Sequence, residues 1–119
     1  MTGSKESVLI VDDEADILEI SSDLLHGIGF QEIVTTTDPR FALQQLRMKR
    51  FGILLTDNNM PSMLGVELIA QARKEHCLPA RTVMMTSIRP SSFASEDQKP
   101  QFVIGKPFKR EELIKAFTR

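Results

Sequence analysis

Short apolar runs alternate with longer amphipathic stretches along most of the sequence. The runs at 8–11 and 53–55 are unbroken, which is typical of parallel strands buried on both faces. Further runs at 33–36, 82–86 and 102–104 predict three more strands. The connections between these runs are too long for hairpins, so we expect a parallel sheet with right-handed crossovers.

Helical periodicity is strongest between the first two predicted strands. Apolar side chains recur there on one helical face, and this stripe consists of Ile17, Ile20, Leu24, Leu25 and Ile28. Asp38 followed by Pro39 is a typical helix start and predicts a second helix. A third helix is predicted at about 64–75, and its buried stripe consists of Leu64, Leu68, Ile69 and Ala72.

The segment 87–101 carries no clear helical stripe, although the alternation of strands and helices predicts a helix there. Pro90, Pro100 and several serines interrupt the segment, so we expect a short or irregular fourth helix. A last helix follows the fifth strand, and its apolar face consists of Leu113, Ile114 and Phe117. Together these patterns predict an α/β fold, a doubly wound domain with a five-stranded parallel sheet.

Length and charge limit the class of protein. With 119 residues the chain is long enough for one domain with its own hydrophobic core. Residues 1–7 are mostly small and polar, and we expect a disordered lead-in there, followed by one domain at 8–119. The formal net charge of -1 provides no general attraction for nucleic acids or anionic membranes.

Localisation and metal chemistry are restricted by features that the sequence lacks. No apolar run approaches the roughly 20 residues that span a bilayer, and no secretory leader opens the chain, so we expect a cytoplasmic protein. Cys77 is the single cysteine, which excludes an internal disulfide and a cysteine-based metal site. We expect His26 and His76 on the surface, away from any zinc constellation.

Polar side chains follow four of the five predicted strands at their carboxyl ends. These residues are Asp12 with Asp13, Asp57, Thr86 and Lys106. A lone aspartate at such a point more often caps the next helix or bonds its own turn. The carboxyl ends of parallel strands, however, meet at one edge of the sheet, where open α/β sheets bind ligands. The four polar strand ends therefore predict a site at this edge.

The residue types at this edge suit phosphoryl chemistry. Three neighbouring carboxylates repel one another unless a cation neutralises them, and a hard divalent cation such as Mg²⁺ prefers oxygen ligands. Lys106 supplies a compact positive charge for a phosphoryl oxygen, and Thr86 supplies a hydroxyl donor. Asp57 is then a candidate nucleophile, because an aspartate can form an acyl phosphate.

Four motifs resemble the receiver domain of two-component response regulators, in the right order and over nearly the whole chain. These motifs are VLIVDDE, LLTDNNMP, VMMTS and GKPF. The resemblance implies a flavodoxin-like sheet with strand order 2-1-3-4-5. It also implies that Asp57 accepts a phosphoryl group from a phosphohistidine on a sensor histidine kinase or a histidine phosphotransfer protein.

The resemblance further implies a set of ligands for Mg²⁺. These are Asp13, Asp57 and the backbone carbonyl of Asn59, with Asp12 acting largely through water. For the phosphoryl group, the resemblance implies a contact from Lys106, with a cis bond to Pro107, and a hydroxyl from Thr86. The small side chain of Ser87 would leave access to that group.

The sequence departs from the receiver pattern on the surface that usually carries the output. Many receivers have an aromatic residue three positions before the closing lysine, where this chain has Val103, and Phe102 lies one place earlier. A slip of one residue reverses the face of a strand, so we expect Phe102 to pack elsewhere and not to replace that aromatic. The interval from Thr86 to Lys106 is also shorter than usual.

Three functions remain open at this stage. The first is a phosphoacceptor receiver, a signalling domain and not an enzyme, that controls a downstream effector or a tethered output domain. The second is an interaction module that keeps the receiver fold but works without phosphorylation. The third is a phosphohydrolase of the haloacid dehalogenase type, which usually has a second acid where this chain has Asn59. No nucleic acid or membrane partner is expected, and homodimerisation is left open.

Overall fold

One sheet of five parallel strands forms the centre of the computed structural model, which describes residues 6–87 and 93–118. The strands are β1 (Val8–Val11), β2 (Ile33–Thr36), β3 (Ile53–Asp57), β4 (Arg81–Thr86) and β5 (Phe102–Gly105). Their order in the sheet is β2-β1-β3-β4-β5, and each neighbouring pair is parallel. This topology confirms the predicted fold class and strand order.

Helices connect the strands in the predicted alternation. They are α1 (Ala15–Gly27), α2 (Pro39–Met48), α3 (Gly65–Lys74) and α4 (Arg110–Thr118). Asp38 caps α2, since its carboxylate accepts a hydrogen bond of 2.9 Å from the Arg40 N–H. In the described part of the segment 87–101, the regular structure is a short 3-10 helix, Glu96–Gln98, as predicted. Residues 88–92 of that segment lie outside the described residues.

The core has two layers, one on each face of the sheet. Alternate residues of a strand point to opposite faces, and helices cover both faces, which explains why the central strands are apolar without a break. The first layer packs on α1 and α4, and its strand residues are Val8, Ile10, Ile53, Leu55, Val83, Met85 and Ile104. The second packs on α2 and α3, and its strand residues are Leu9, Val11, Leu54 and Met84.

Two residues of the predicted apolar stripes are not buried. Ile20 is 49% exposed on α1, and Leu64 is 41% exposed because it precedes the first turn of α3 as its N-cap. The predicted stripes were therefore too wide at these two positions. The remaining stripe residues are buried or partly buried.

The amino-terminal boundary differs from the prediction. Ser7, predicted to belong to a disordered lead-in, is buried, and its carbonyl accepts hydrogen bonds from the N–H groups of Gly52 (3.0 Å) and Ile53 (3.2 Å). These bonds hold Ser7 against the start of β3. Residues 1–5 of the predicted lead-in lie outside the described residues.

Two further contacts tie the ends of the elements together. Arg81, at the start of β4, donates a hydrogen bond of 2.9 Å through Nη1 to the carbonyl of Phe117 in the last turn of α4. The ring of Phe117 also meets that of Phe30 edge to face, with centroids 5.5 Å apart. Among the described residues, no helix is both long enough and apolar enough to cross a membrane.

Candidate functional site

The topology brings the predicted polar strand ends together. Asp12 directly follows β1, Asp57 ends β3, Thr86 ends β4 and Lys106 directly follows β5. Since β1, β3, β4 and β5 are consecutive neighbours in the sheet, these residues share one edge. Asp12, Asp57 and Thr86 are buried, and the Lys106 side chain is 8% exposed. The site is therefore built on rigid strand ends and largely withdrawn from solvent.

Three carboxylates lie at the centre of this edge. Asp12, Asp13 and Asp57 each present an oxygen, and these oxygens lie within 4.8 Å of one another. Burial raises the pKa of Asp57 to about 6, and the nearby charge of Asp12 acts in the same direction, while Lys106 opposes both. Burial also raises the pKa of Asp12. The cluster thus carries negative charge that its surroundings only partly compensate.

The donor set fits a hard divalent cation. Asp12 Oδ2 is fully buried, and the ammonium of Lys106, 2.7 Å away, is the cation beside it. The cluster offers carboxylate oxygens only, which are the ligands that Mg²⁺ prefers. Zinc and copper are better suited by histidine or cysteine ligands. Asn59 is exposed in the loop after β3, and the role of its carbonyl as a ligand stays a prediction.

Lys106 is the basic residue of the site. Its Nζ lies 2.7 Å from Asp12 Oδ2 and 3.5 Å from Asp57 Oδ2, and it donates a hydrogen bond of 3.3 Å to Glu14 Oε1. Burial lowers the pKa of Lys106, but the neighbouring carboxylates outweigh burial and leave this pKa above its ordinary value. Lys106 is therefore a charged ammonium. Sequence reasoning assigned no role to Glu14, whose only signal was its place directly after the acidic pair.

The loop after Asp57 is fixed by the start of α3. The Asn58 carbonyl accepts a hydrogen bond from the Gly65 N–H (2.9 Å), and the Asn58 side-chain oxygen accepts one from the Val66 N–H (3.1 Å). A Cβ atom on Gly65 would overlap the Asp57 carbonyl oxygen and lie 3.0 Å from the Asn58 Cα. Only glycine allows this approach. Sequence analysis missed the roles of Asn58 and Gly65, which depend on a contact between two elements.

The β4 and β5 ends are joined directly by their backbones. The Thr86 carbonyl accepts a hydrogen bond of 2.8 Å from the Lys106 N–H. The Lys106–Pro107 peptide bond is cis, as the resemblance implied. Ser87 is exposed immediately after Thr86. These contacts bring the predicted hydroxyl and ammonium groups to adjacent strand ends.

Phe102 and Val103 face opposite layers of the core. Phe102 packs against the first layer, with α1 and α4, whereas Val103 packs against the second, together with Phe93. This confirms that Phe102 does not take the place of an aromatic residue at position 103. The face of β5 that carries the aromatic residue in many receivers carries a smaller valine here.

Comparison with known proteins places this geometry in a family. Residues 8–118 match the family model described as Response regulator receiver domain. The chain is 31% identical to the chemotaxis protein CheY-3 of Vibrio cholerae, in an alignment that covers 94% of this chain and 92% of that protein. It is 35% identical to the chemotaxis protein CheY of Pseudomonas aeruginosa over 80 residues, which cover 67% of this chain and 64% of that protein.

Solved structures show the same fold. The structure of the chemotaxis protein CheY4 of Vibrio cholerae, crystallised at low pH, superposes with a TM-score of 0.84 and is 28% identical. The match covers 95% of this chain and 96% of that one. The receiver domain of a putative response regulator NarL from Mycobacterium tuberculosis, 23% identical, superposes with a TM-score of 0.79 and shares the fold.

Proposed function

The chain belongs to the response regulator receiver domain family, and we propose that Asp57 is its phosphoacceptor. The observation that carries this proposal is the position of the Asp57 carboxylate, which is buried at the end of β3 between the acidic pair and Lys106. The match to the receiver family over residues 8–118 favours this function over a phosphohydrolase. The protein then acts in two-component signalling, not as a classical enzyme.

The proposed reaction transfers a phosphoryl group to Asp57. A carboxylate oxygen of Asp57 forms a bond to phosphorus while the P–N bond to the donor histidine breaks, and the electron pair of that bond stays on the imidazole nitrogen. The carboxylate must be deprotonated to react, and a pKa of about 6 leaves it mostly charged at neutral pH. Lys106 compensates the charge on the phosphoryl oxygens, and Thr86 donates to one of them.

We propose Mg²⁺ as the cofactor of this reaction. Asp12, Asp13 and Asp57 would hold it, with the Asn59 carbonyl as a further oxygen ligand. When bound, the ion neutralises phosphoryl oxygens and the acidic cluster at once. The chain's own contribution is to fix the three carboxylates at strand ends, so that little reorganisation accompanies binding.

The proposed partners act on the unphosphorylated and phosphorylated states of Asp57. The donor is a phosphohistidine on a sensor histidine kinase or a histidine phosphotransfer protein. The recipient of the signal is a downstream effector or a tethered output domain. A phosphoryl group adds about one negative charge and three acceptor oxygens to Asp57, so groups that reach those oxygens gain new partners.

One observation favours a second candidate, an interaction module that works without phosphorylation. Val103 offers no aromatic ring on the α2/α3 face of β5, and Phe102 is committed to the opposite layer. A switch that depends on an aromatic side chain turning inward at position 103 therefore lacks that side chain in this protein.

Phosphorylation with a small donor tests both candidates. We would incubate the protein with acetyl phosphate and Mg²⁺ and record the intact mass and amide NMR spectra. Asp57→Asn removes the nucleophile, and Asp23→Asn is a matched control on the exposed face of α1. We expect one phosphoryl group on the wild-type and Asp23→Asn proteins and none on Asp57→Asn.

The outcomes separate the candidates. Phosphorylation that persists in Asp57→Asn would refute Asp57 as the acceptor. Amide shifts that spread from Asp57 through Thr86 to Ile104 would support a phosphorylation-driven switch. Shifts confined to the loops around the acidic cluster would favour the second candidate. Omission of Mg²⁺ should abolish the gain in mass, and a gain that does not require a divalent cation would contradict the proposed cofactor.

A further inference from the structure

Glu14 occupies a helix position that normally has another residue type. It is the N-cap of α1, where Ser, Thr, Asp and Asn are preferred because their short side chains bond the first turn. The Glu14 side chain makes no such capping bond. Its backbone fixes the turn instead, since its N–H donates to Asp12 Oδ1 (2.9 Å) and its carbonyl accepts from the Ile17 N–H (3.1 Å). The carboxylate is therefore free for another role.

That carboxylate points to the functional site. Glu14 Oε1 accepts a hydrogen bond of 3.3 Å from Lys106 Nζ, across 92 positions of sequence. The other two carboxylates near this ammonium, Asp12 and Asp57, are buried on strand ends. The Glu14 side chain is 64% exposed. Because water can replace an exposed partner at little cost, the Glu14 contact is the one that Lys106 can release most easily.

A phosphoryl group on Asp57 would need the same ammonium. An ammonium has three N–H donors, and a phosphoryl group brings three strong acceptor oxygens next to Lys106. Glu14 would compete with these oxygens for a donor and would repel them by its charge. Both effects favour the unphosphorylated ground state over the transition state, so their removal should accelerate phosphorylation.

We propose that Glu14 is a positioning residue for phosphotransfer, whose carboxylate holds the Lys106 ammonium at the mouth of the site until a phosphoryl oxygen replaces it. This inference rests on the proposed function of Asp57. Glu14 thereby restrains phosphorylation by any anionic donor, and it sets the rate through charge and through the occupancy of one N–H of Lys106.

Two charge-neutralising variants, one at the N-cap of α1 and one within α1, test the inference. Glu14→Gln keeps the size and the backbone contacts of Glu14 but removes its charge. Glu19→Gln makes the same change on the exposed face of the same helix, at a residue that forms no ion pair among the described residues. We would measure initial rates of phosphorylation by acetyl phosphate at saturating Mg²⁺, established for each variant by titration.

We expect Glu14→Gln to react about threefold faster than the wild-type protein and Glu19→Gln to react at the wild-type rate. The difference should shrink at high salt, since the Glu14 side chain is exposed and its charge is screened. A second measurement does not depend on helix stability. The NMR chemical shift of the Lys106 Hε protons should differ from the wild-type value in unphosphorylated Glu14→Gln but not in Glu19→Gln. Glu14→Asp retains the charge but is one methylene shorter than Glu14, so it should react at a rate between those of the wild-type protein and Glu14→Gln.

Each contrary result has a distinct meaning. If the wild-type protein is phosphorylated and Glu14→Gln reacts at the same rate or more slowly, the role of Glu14 is refuted and the proposed function stands. Equal acceleration by both variants would also refute it, since the effect would then come from the change in net charge and not from the contact between Glu14 and Lys106. If the wild-type protein gains no phosphoryl group, the proposed function fails, and the role of Glu14 fails with it.

Discussion

Gly65 lies against the backbone of Asp57 at a distance that admits no side chain. The contact joins the first residue of α3 to the strand end that carries the candidate nucleophile. A Cβ atom there would meet backbone atoms, which cannot rotate away as a flexible side chain can. The position of Asp57 is therefore set from two sides, by the strand that it ends and by the helix that follows.

We expect Gly65→Ala to lower the free energy of unfolding by about 1–3 kcal/mol, the usual cost of forcing an extra carbon into a packed position. Urea denaturation would measure this loss. Gly27→Ala is the matched control, because a Cβ atom on Gly27 would have no atom within 4 Å. Equal stabilities of the two variants would contradict the close packing described for Gly65.

His76 adopts a left-handed backbone conformation, with φ 61°, just after α3. Glycine is preferred at this position of a helix end because it has no Cβ atom to clash. We expect His76→Gly to raise the free energy of unfolding by about 0.5–1 kcal/mol. His76→Ala keeps the Cβ atom and should bring no such gain in a thermal or urea unfolding experiment. A gain of the same size in both variants would point to loss of the imidazole instead.

The raised pKa of Asp57 makes the stability of the metal-free protein depend on pH. The pKa is about 6 in the folded protein against an ordinary value of 3.8, so between these values the folded state binds a proton that the unfolded state has released. The free energy of unfolding should therefore fall as pH rises from about 4 to about 6. Above that range Asp57→Asn should be more stable than the wild-type protein, by about 1–3 kcal/mol.

Urea denaturation of both proteins across this pH range, without divalent cations, would measure the difference. Asp23→Asn serves as the control for loss of an exposed carboxylate and should follow the wild-type curve. An Asp57→Asn curve parallel to the wild-type curve at every pH would show that Asp57 does not titrate in this range.

Arg73 fastens the 3-10 helix to α3. Its Nη1 donates to the Glu96 carbonyl (2.7 Å), and its Nη2 donates to the Lys99 carbonyl (3.2 Å). We expect Arg73→Ala to cost about 1 kcal/mol of stability and to speed hydrogen exchange at the amides of Gln98 and Lys99. Lys74→Ala, which changes the exposed neighbour, should leave these amides unaffected. Unchanged hydrogen exchange in Arg73→Ala would show that the 3-10 helix is stable without the Arg73 hydrogen bonds.

Much of this architecture could be predicted because local pattern and topology agree. The unbroken apolar runs of β1 and β3 reflect burial on both faces of the sheet, because the crossover helices cover both faces. Asp57, Thr86 and Lys106 could be grouped from sequence because parallel strands place all their carboxyl ends at one edge. The separation of Phe102 from Val103 followed from the two-residue period of a strand.

The features that escaped prediction depend on distances between elements. Glu14 and Lys106 are 92 positions apart, and nothing in the local sequence of either residue names the other. The need for glycine at position 65 appears only when α3 is packed on the end of β3. Ile20 fits a helical stripe by spacing, yet it is 49% exposed, because the width of a buried face is set by the neighbouring elements.

The hydrogen bond from Arg81 to Phe117 gives β4 a mechanical role. The strand has six residues, a span of roughly 20 Å, and it is hydrogen-bonded to a neighbouring strand on each side, so it is held stiffly within the sheet. One end of β4 is Thr86, in the candidate site, and the other end is Arg81, which is hydrogen-bonded to the last turn of α4. A displacement of Thr86 along the strand axis would be transmitted to α4 as a pull on its carboxyl end.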